Sequence, residues 1–204
     1  MRVKKRHSFK DVRLRDVAFV RLGHPFRGTV KNYDDGDVRV IQVRDIKDTG
    51  DICLESVIKT KLMTKKNPDW LQKGDLLFVA KGSRHTCALV EDSLDLTLCS
   101  PHFFVVRLKS EFRDVVIPDF ICWQLNQQSA QRYFTTTAEG TMYLSIRRQV
   151  LEDVPIKILP IQKQKHLADL LRCVVREKSL LLKLIENRQQ QIDAIAFNFL
   201  ESSD

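Results

Sequence analysis

Apolar positions along this chain follow two rhythms, and the change falls near Pro155 and Pro160. Before it, short runs rich in β-branched and aromatic side chains occur at 38–43, 76–80, 88–90 and 102–108, each of strand length. Turn-forming clusters separate them: Asp34-Asp35-Gly36-Asp37, Thr49-Gly50-Asp51, Lys73-Gly74-Asp75 and Gly82-Ser83. One helix interrupts this β-rich stretch. Pro118-Asp119 supplies its start, and Phe120, Trp123, Gln127 and Ala130 recur at helical spacing, which predicts a single helix ending at 135–137, ahead of Gly140. A shorter helix is predicted over 145–152, stopped by Pro155.

After Pro160 the spacing alternates between four and three residues through Leu167, Leu171, Val174, Lys178, Leu181, Ile185, Arg188, Ile192, Ile195 and Phe199. Eight of these ten are apolar, and neither Pro nor Gly occurs from Ile161 to Leu200. That pattern predicts one continuous helix about 60 Å long. No helix buries such a stripe against itself. Its cover is either the body of the same domain or a second helix from another chain, and a length beyond what a compact body covers favours the second. The residues expected to dimerise are therefore Leu167, Leu171, Val174, Leu181, Ile185, Ile192, Ile195 and Phe199. The expected architecture is mixed α/β (α+β): a β-rich domain over 1–158 and a coiled-coil-type helix over 159–204.

A chain of 204 residues with 43% apolar side chains is long enough for one sizeable core, which argues against disorder. Its net charge of +8 matters more for where it lies. The first 31 residues hold ten Lys or Arg against two acids, Asp11 and Asp16, whereas basic and acidic side chains balance over the rest. A field concentrated in this way points to a polyanion, either nucleic acid or an anionic membrane surface. No apolar run approaches the roughly 18 residues of a spanning helix, so a soluble, cytoplasmic protein is expected. Cys53, Cys87, Cys99, Cys122 and Cys173 form no C-x-x-C pair and read as reduced, mostly buried thiols.

The sequence carries no legible catalytic pattern. Gly82-Ser83-Arg84 lacks the spacing of a phosphate loop, and no nucleotide-binding fingerprint or methyl-transfer motif is legible among seven glycines. Pro68-Asp69 is not followed by the second acid that a metal-dependent nuclease needs. Asp34, Asp35 and Asp37 lack the closing Glu of a calcium loop, and His7, His24, His85, His102 and His166 show no paired ligand spacing. No cofactor, no metal and no catalytic residue is expected.

Binding is better represented. Arg2, Lys4, Lys5, Arg6, Lys10, Arg13, Arg15, Arg21, Arg27 and Lys31 can contact several phosphates, each contact releasing counterions. Residues 1–8 read equally as a solubilising tail, while Arg21, Arg27 and Lys31 lie inside the folded pattern. A second cluster, Lys81-Gly82-Ser83-Arg84-His85-Thr86, is a basic loop between strands, suited to base edges and phosphates or else an ordinary hairpin turn. A third spans 135–143, with Thr141 and Tyr143, and is followed by Arg147 and Arg148.

The order of these segments resembles one target-recognition half of the specificity (S) subunit of type I restriction-modification systems. The resemblance begins at Leu14-Arg15-Asp16-Val17-Ala18, passes through Gly23-His24-Pro25-Phe26-Arg27-Gly28, and continues with Gln42-Val43-Arg44-Asp45-Ile46, similar to a polar strand ending in Asp-Ile. It extends over 71–82, Phe120-Ile121-Cys122-Trp123-Gln124-Leu125-Asn126, Gly140-Thr141 and Ile146, then Val154-Pro155-Ile156, Leu159-Pro160 and Gln164. Each motif is weak alone; their shared order over nearly the whole chain is specific. The chain departs from the family at Lys163-Gln164, where Glu-Gln is usual, and at Lys157, a basic residue in an apolar strand. It also has one recognition domain and one long helix where a full S subunit has two of each.

The resemblance implies a non-catalytic subunit that reads one half of a split site in double-stranded DNA. It implies long helices that pair antiparallel as a spacer, and methyltransferase (M) and restriction (R) subunits as partners. A homodimer, or pairing with another half-specificity chain, would complete the seam. The implied DNA-binding residues are Arg21, Arg27, Lys31, Lys81, Ser83, Arg84, His85, Thr141, Tyr143, Arg147 and Arg148. Rival readings are a specificity-like module of another phage-defence system, a small metal-dependent nucleic-acid enzyme, and a purely structural assembly protein.

Overall fold

The computed structural model describes residues 11–47, 49–62, 67–82, 84–140 and 144–201. The chain forms two compact units, Met1–Lys165 and His166–Asp204. The first contains β1 (Asp11–Arg13), α1 (Leu14–Val17), β2 (Ala18–Leu22), β3 (Val38–Ile41), β4 (Ile58–Thr60), β5 (Leu76–Val79), β6 (Cys87–Leu89), β7 (Thr97–Cys99) and β8 (Phe103–Leu108). Then follow α2 (Pro118–Asn126), α3 (Gln128–Thr137), α4 (Arg148–Asp153), β9 (Pro155–Lys157) and the start of α5 (Ile161–Glu201). The mixed α/β class expected from the sequence is the class observed.

Three sheets organise the body. One has the order β2-β8-β5-β6 and is antiparallel throughout; a second has the order β4-β3-β7, with β3 and β7 parallel; β1 pairs with β9. All four residues of β5 are buried, which explains why its sequence runs apolar without alternation. Leu76 and Phe78 face one core with Val106, Ile121, Leu125 and Phe134, whereas Leu77 and Val79 face another with Ile41, Cys99 and Val105. The four-stranded sheet is thus covered by helices on one side and by the three-stranded sheet on the other. Where β2 leaves the sheet it passes so close to β7 that a Cβ on Gly23 would lie 2.1 Å from the Ser100 carbonyl oxygen, so only glycine fits.

The single helix expected over 118–137 is two helices, broken at Gln127 with extended backbone (φ −72°, ψ 152°). No Pro or Gly causes the break. The Asn126 side chain leaves the helical path to bond the backbone of Cys87 in both senses, N–H to Oδ1 and Nδ2 to carbonyl oxygen, each at 2.8 Å. It thereby satisfies the free edge of the sheet at β6. The Leu125 carbonyl then accepts from Gln131 Nε2 at 2.8 Å. Gln124 grips Lys157 of β9 in the same two-pronged way, at 2.8 and 2.9 Å. Gln164 is fully buried: it accepts from the Ile117 N–H at 3.1 Å and donates to the carbonyls of Val115 and Leu159.

α5 runs 41 residues without interruption, about 60 Å at the helical rise per residue. Along it Val174, Leu181, Ile185, Ile192, Ile195 and Phe199 are exposed, and Leu167 and Leu171 are half-buried. Leu180, Leu182 and Leu184 are more than half exposed as well, so the apolar surface is wider than the seam alone. Among the described residues, no helix is long and apolar enough to cross a membrane.

A candidate nucleic-acid interface at one end of the sheets

Strand direction decides which loops meet. In the four-stranded sheet Leu22 pairs with Phe104, Val79 with Phe103 and Phe78 with Cys87, so the end of β2, the end of β5 and the starts of β6 and β8 share one edge. The parallel pair β3 and β7 ends there too, with Ile41 opposite Cys99, and β4 starts there, with Ile58 opposite Val40. Loops 42–57, 80–86 and 100–102 and the start of the β2–β3 connection therefore converge. The exposed acids Asp34, Asp35, Asp37, Glu91, Asp92 and Asp95 lie on turns at the opposite end, where Asp35 pairs with Lys61 and Asp92 with Lys73. The topology sorts these acidic turns away from the 80–86 loop.

Backbone contacts join two clusters that are far apart in sequence. Lys81 forms a β-bridge with Ser145, which also bridges Glu139, and the Ile146 N–H donates to the Ala80 carbonyl at 2.9 Å. Residues 80–82 and 84–86 thus form one surface with residues 139–140 and 144–148, carrying exposed Lys81, Arg84, Arg147 and Arg148. Arg147 pairs with Glu139, and Arg148 with Glu152 at 2.7 Å. Arg27 and Lys31 are exposed on the β2–β3 connection. Ser83, Thr141 and Tyr143 lie outside the described residues, as do Arg2, Lys4, Lys5, Arg6 and Lys10.

Two of the expected contact residues are placed elsewhere. His85 is only 4% exposed: its ring stacks on Phe78 and its Nδ1 lies 3.0 Å from the Val79 carbonyl oxygen, so it fixes the hairpin from inside. Arg21 projects from β2 into an internal ion-pair group, with Nε 2.7 Å from Asp69 and a longer approach of 3.8 Å to Asp75. Arg107 completes the group by holding both Asp75 carboxylate oxygens at 2.7 Å. Burial, the largest influence, lowers the Arg21 pKa against the pull of Asp69, while the Asp75 hydrogen bonds raise that of Arg107. These arginines neutralise Asp75, whose side chain is 1% exposed. Burial also lowers the pKa of His24 and pushes the Cys99 thiol up to about 12. Cys87 is buried as well, Cys53 and Cys122 are half-buried, and Cys173 is exposed.

Arg44 and Lys47, exposed cations on the 42–57 loop at this end, were not among the expected contacts. Gln42-Val43-Arg44-Asp45-Ile46, expected as a strand, forms a 3-10 turn over Val43–Asp45 because the Asp45 carboxylate accepts from the Gln42 N–H at 2.8 Å. Arg44 stands on that turn, 63% exposed. The signal available in the sequence was the acid three residues after Gln42, a spacing that closes a turn through a backbone N–H. Among the described residues no group of three or more metal-ligating side chains occurs.

Comparisons with known proteins place this architecture. No family model and no curated protein matches the chain. Solved structures do. The S subunit of a type I restriction-modification system from M. genitalium aligns over 93% of this chain and 45% of its own, with a TM-score of 0.59 at 15% identity. The HsdS subunit from Thermoanaerobacter tengcongensis aligns over 89% of this chain and 40% of its own, with a TM-score of 0.58 at 12% identity. A chain from a structure addressing complex assembly and conformational transition of a type I R-M system aligns over 88% and 41%, with a TM-score of 0.59 at 13% identity. This chain spans less than half the length of each of these structures, and its fold is that of type I specificity subunits.

Proposed function

We propose that this chain is a half-length specificity subunit: a non-catalytic DNA-recognition protein of a type I restriction-modification system. The observation that carries the reading is the fold likeness to S subunits over 93% of this chain but only 45% of the longer one. Residues 1–158 would read DNA, and 159–204 would form the spacer helix. At the loop end of the body, Lys81, Arg84, Arg147 and Arg148 would engage the duplex with Arg27 and Lys31 beside them, together with Ser83, Thr141 and Tyr143. Phosphate contacts would supply salt-dependent affinity, and side chains reaching base edges in the major groove would supply selectivity.

The exposed stripe Val174, Leu181, Ile185, Ile192, Ile195 and Phe199 supports a second copy as partner. A homodimer paired antiparallel through α5 would present two reading bodies to a two-part, symmetric DNA site, with the helices fixing the distance between its halves. Catalysis would then belong to methyltransferase and restriction subunits that dock in the cytoplasm on this assembly. Sedimentation of the full chain with and without a duplex tests the reading. A two-copy species that binds duplex with affinity falling steeply as salt rises is expected; a monomer, or a dimer indifferent to duplex at low salt, would count against it.

A further inference from the structure

Resting on the DNA-recognition reading above, we infer that Arg44 is a base-reading, specificity-determining residue, held in place by the buried carboxylate of Asp45. The structure invests heavily in fixing the short turn that carries it. Asp45 is 0% exposed, and its side chain bonds two separate segments: Oδ2 accepts from the Gln42 N–H and Oδ1 from the Ser56 hydroxyl, each at 2.8 Å. Its backbone adds a third tie, the Cys53 N–H donating to the Asp45 carbonyl at 2.8 Å. The next residues are fixed too. Ile46 bridges Ile52, the Lys47 N–H donates to the Asp51 carbonyl at 2.9 Å, and Gly50 closes the connection at φ +89°.

This clamped turn sits beside the 80–86 loop. A Cβ on Gly82 would meet the Val43 side chain at 3.9 Å, and one on Gly50 would lie 3.1 Å from the Cys87 carbonyl oxygen. Arg44 therefore projects from the same end of the sheets as Lys81 and Arg84, on a base bonded from both flanks. Among the described residues the carboxylate paired with its guanidinium is a distant one. The Asp45 oxygen nearest to it lies 3.9 Å from Nε and already accepts the Ser56 hydroxyl, whereas Arg21, Arg147 and Arg148 each hold a carboxylate at 2.7 Å or less. A planar fork on a rigid base matches the two acceptors of guanine, O6 and N7, in the major groove. A flexible phosphate contact needs no such anchoring.

The test uses duplexes selected from a random-sequence pool by the full chain and by its Arg44→Lys and Arg44→Ala variants. Lysine keeps the charge and loses the fork, so it separates the two roles. The expected result is that both variants enrich a motif that has lost one G·C position. Cognate affinity should fall on the order of ten- to a hundredfold while affinity for random duplex holds in the Arg44→Lys variant. Enrichment of the unchanged motif by both variants would overturn the inference, as would a loss in Arg44→Ala that is equal for cognate and random duplex and fully restored by lysine. Arg44 would then be a phosphate contact or no contact, with the DNA reading intact. Failure of the unaltered chain to enrich any motif would overturn the DNA reading and this inference together.

Discussion

The body and the long helix draw on the same apolar side chains and use them in opposite ways. In Met1–Lys165 the runs at β5 and β8 disappear between two cores, and Leu76, Leu77, Phe103 and Val105 reach 0% exposure. In His166–Asp204, Leu181 and Ile185 stand 54% and 66% exposed, and Phe199 73%. Burying such a side chain is worth roughly 1.5–3 kcal/mol, so the body has collected its stabilisation and the helix has not. A region that buries its own apolar side chains is complete as a monomer; one that leaves them exposed fits the pairing proposed above.

The largest effect should come from breaking the helix side of this contrast. If α5 pairs with a second copy as proposed, Leu181→Asp together with Ile185→Asp removes four apolar side chains from that interface and inserts four charges. Sedimentation should show a monomer with unchanged body stability, because each lost side chain forfeits about 1.5–3 kcal/mol of association. A dimer that persists would mean α5 is not the interface.

Within the body, the next largest effect is expected at Asp75, buried beneath Arg21 and Arg107. Asp75→Ala should destabilise the body by about 3 kcal/mol in denaturant unfolding, at the lower end for a broken buried ion pair because Arg107 is 22% exposed. Helix pairing should be untouched. Gln164→Ala comes third. It strands the Ile117 N–H and two carbonyls, and the expected loss is about 1–3 kcal/mol, read in the same unfolding experiment. The smallest is Lys81→Ala: affinity should drop almost uniformly across DNA sequences, with the slope against log salt reduced by about one. A sequence-selective loss there would promote Lys81 to a base contact.

The same contrast explains what could be read in advance. Long-range periodicity is a local property, so α5 was legible from its four-and-three spacing and from the lack of Pro and Gly. β5 and β8 were legible because two-sided burial makes β5 continuously apolar and β8 apolar at every position but Arg107. Three residues are too few for a period to register, and of the three-residue strands β1, β4, β6, β7 and β9 only β6 was foreseen, from its apolar run at 88–90. The break at Gln127 depends on Asn126 meeting Cys87, 39 residues away, and nothing near Gln127 signals it.

Charge was the least legible property of the candidate site. Arg21 has the composition of a surface cation, yet its partners Asp69 and Asp75 arrive from 48 and 54 residues further along. His85 sits among polar residues and still turns inward onto Phe78. Arg44 is obscured for the converse reason: its segment resembles a strand, and although the acid three residues after Gln42 signals a turn, the burial that makes this acid an anchor shows only where Ser56 and Cys53 converge on Asp45. Among the described residues, the basic side chains of the first 31 thus divide: Arg13 and Arg15 pair with Asp153, Arg21 with Asp69, and Arg27 and Lys31 face solvent.

The most direct test of the central claim is selection of bound duplexes from a random pool by the full-length chain, with a type I methyltransferase subunit co-expressed in a parallel arm. A body that reads and a helix that pairs predict enrichment of a two-part motif with identical, inverted halves separated by a constant spacer. Enrichment of a single undivided motif would contradict the pairing, and no enrichment in either arm would contradict DNA recognition itself.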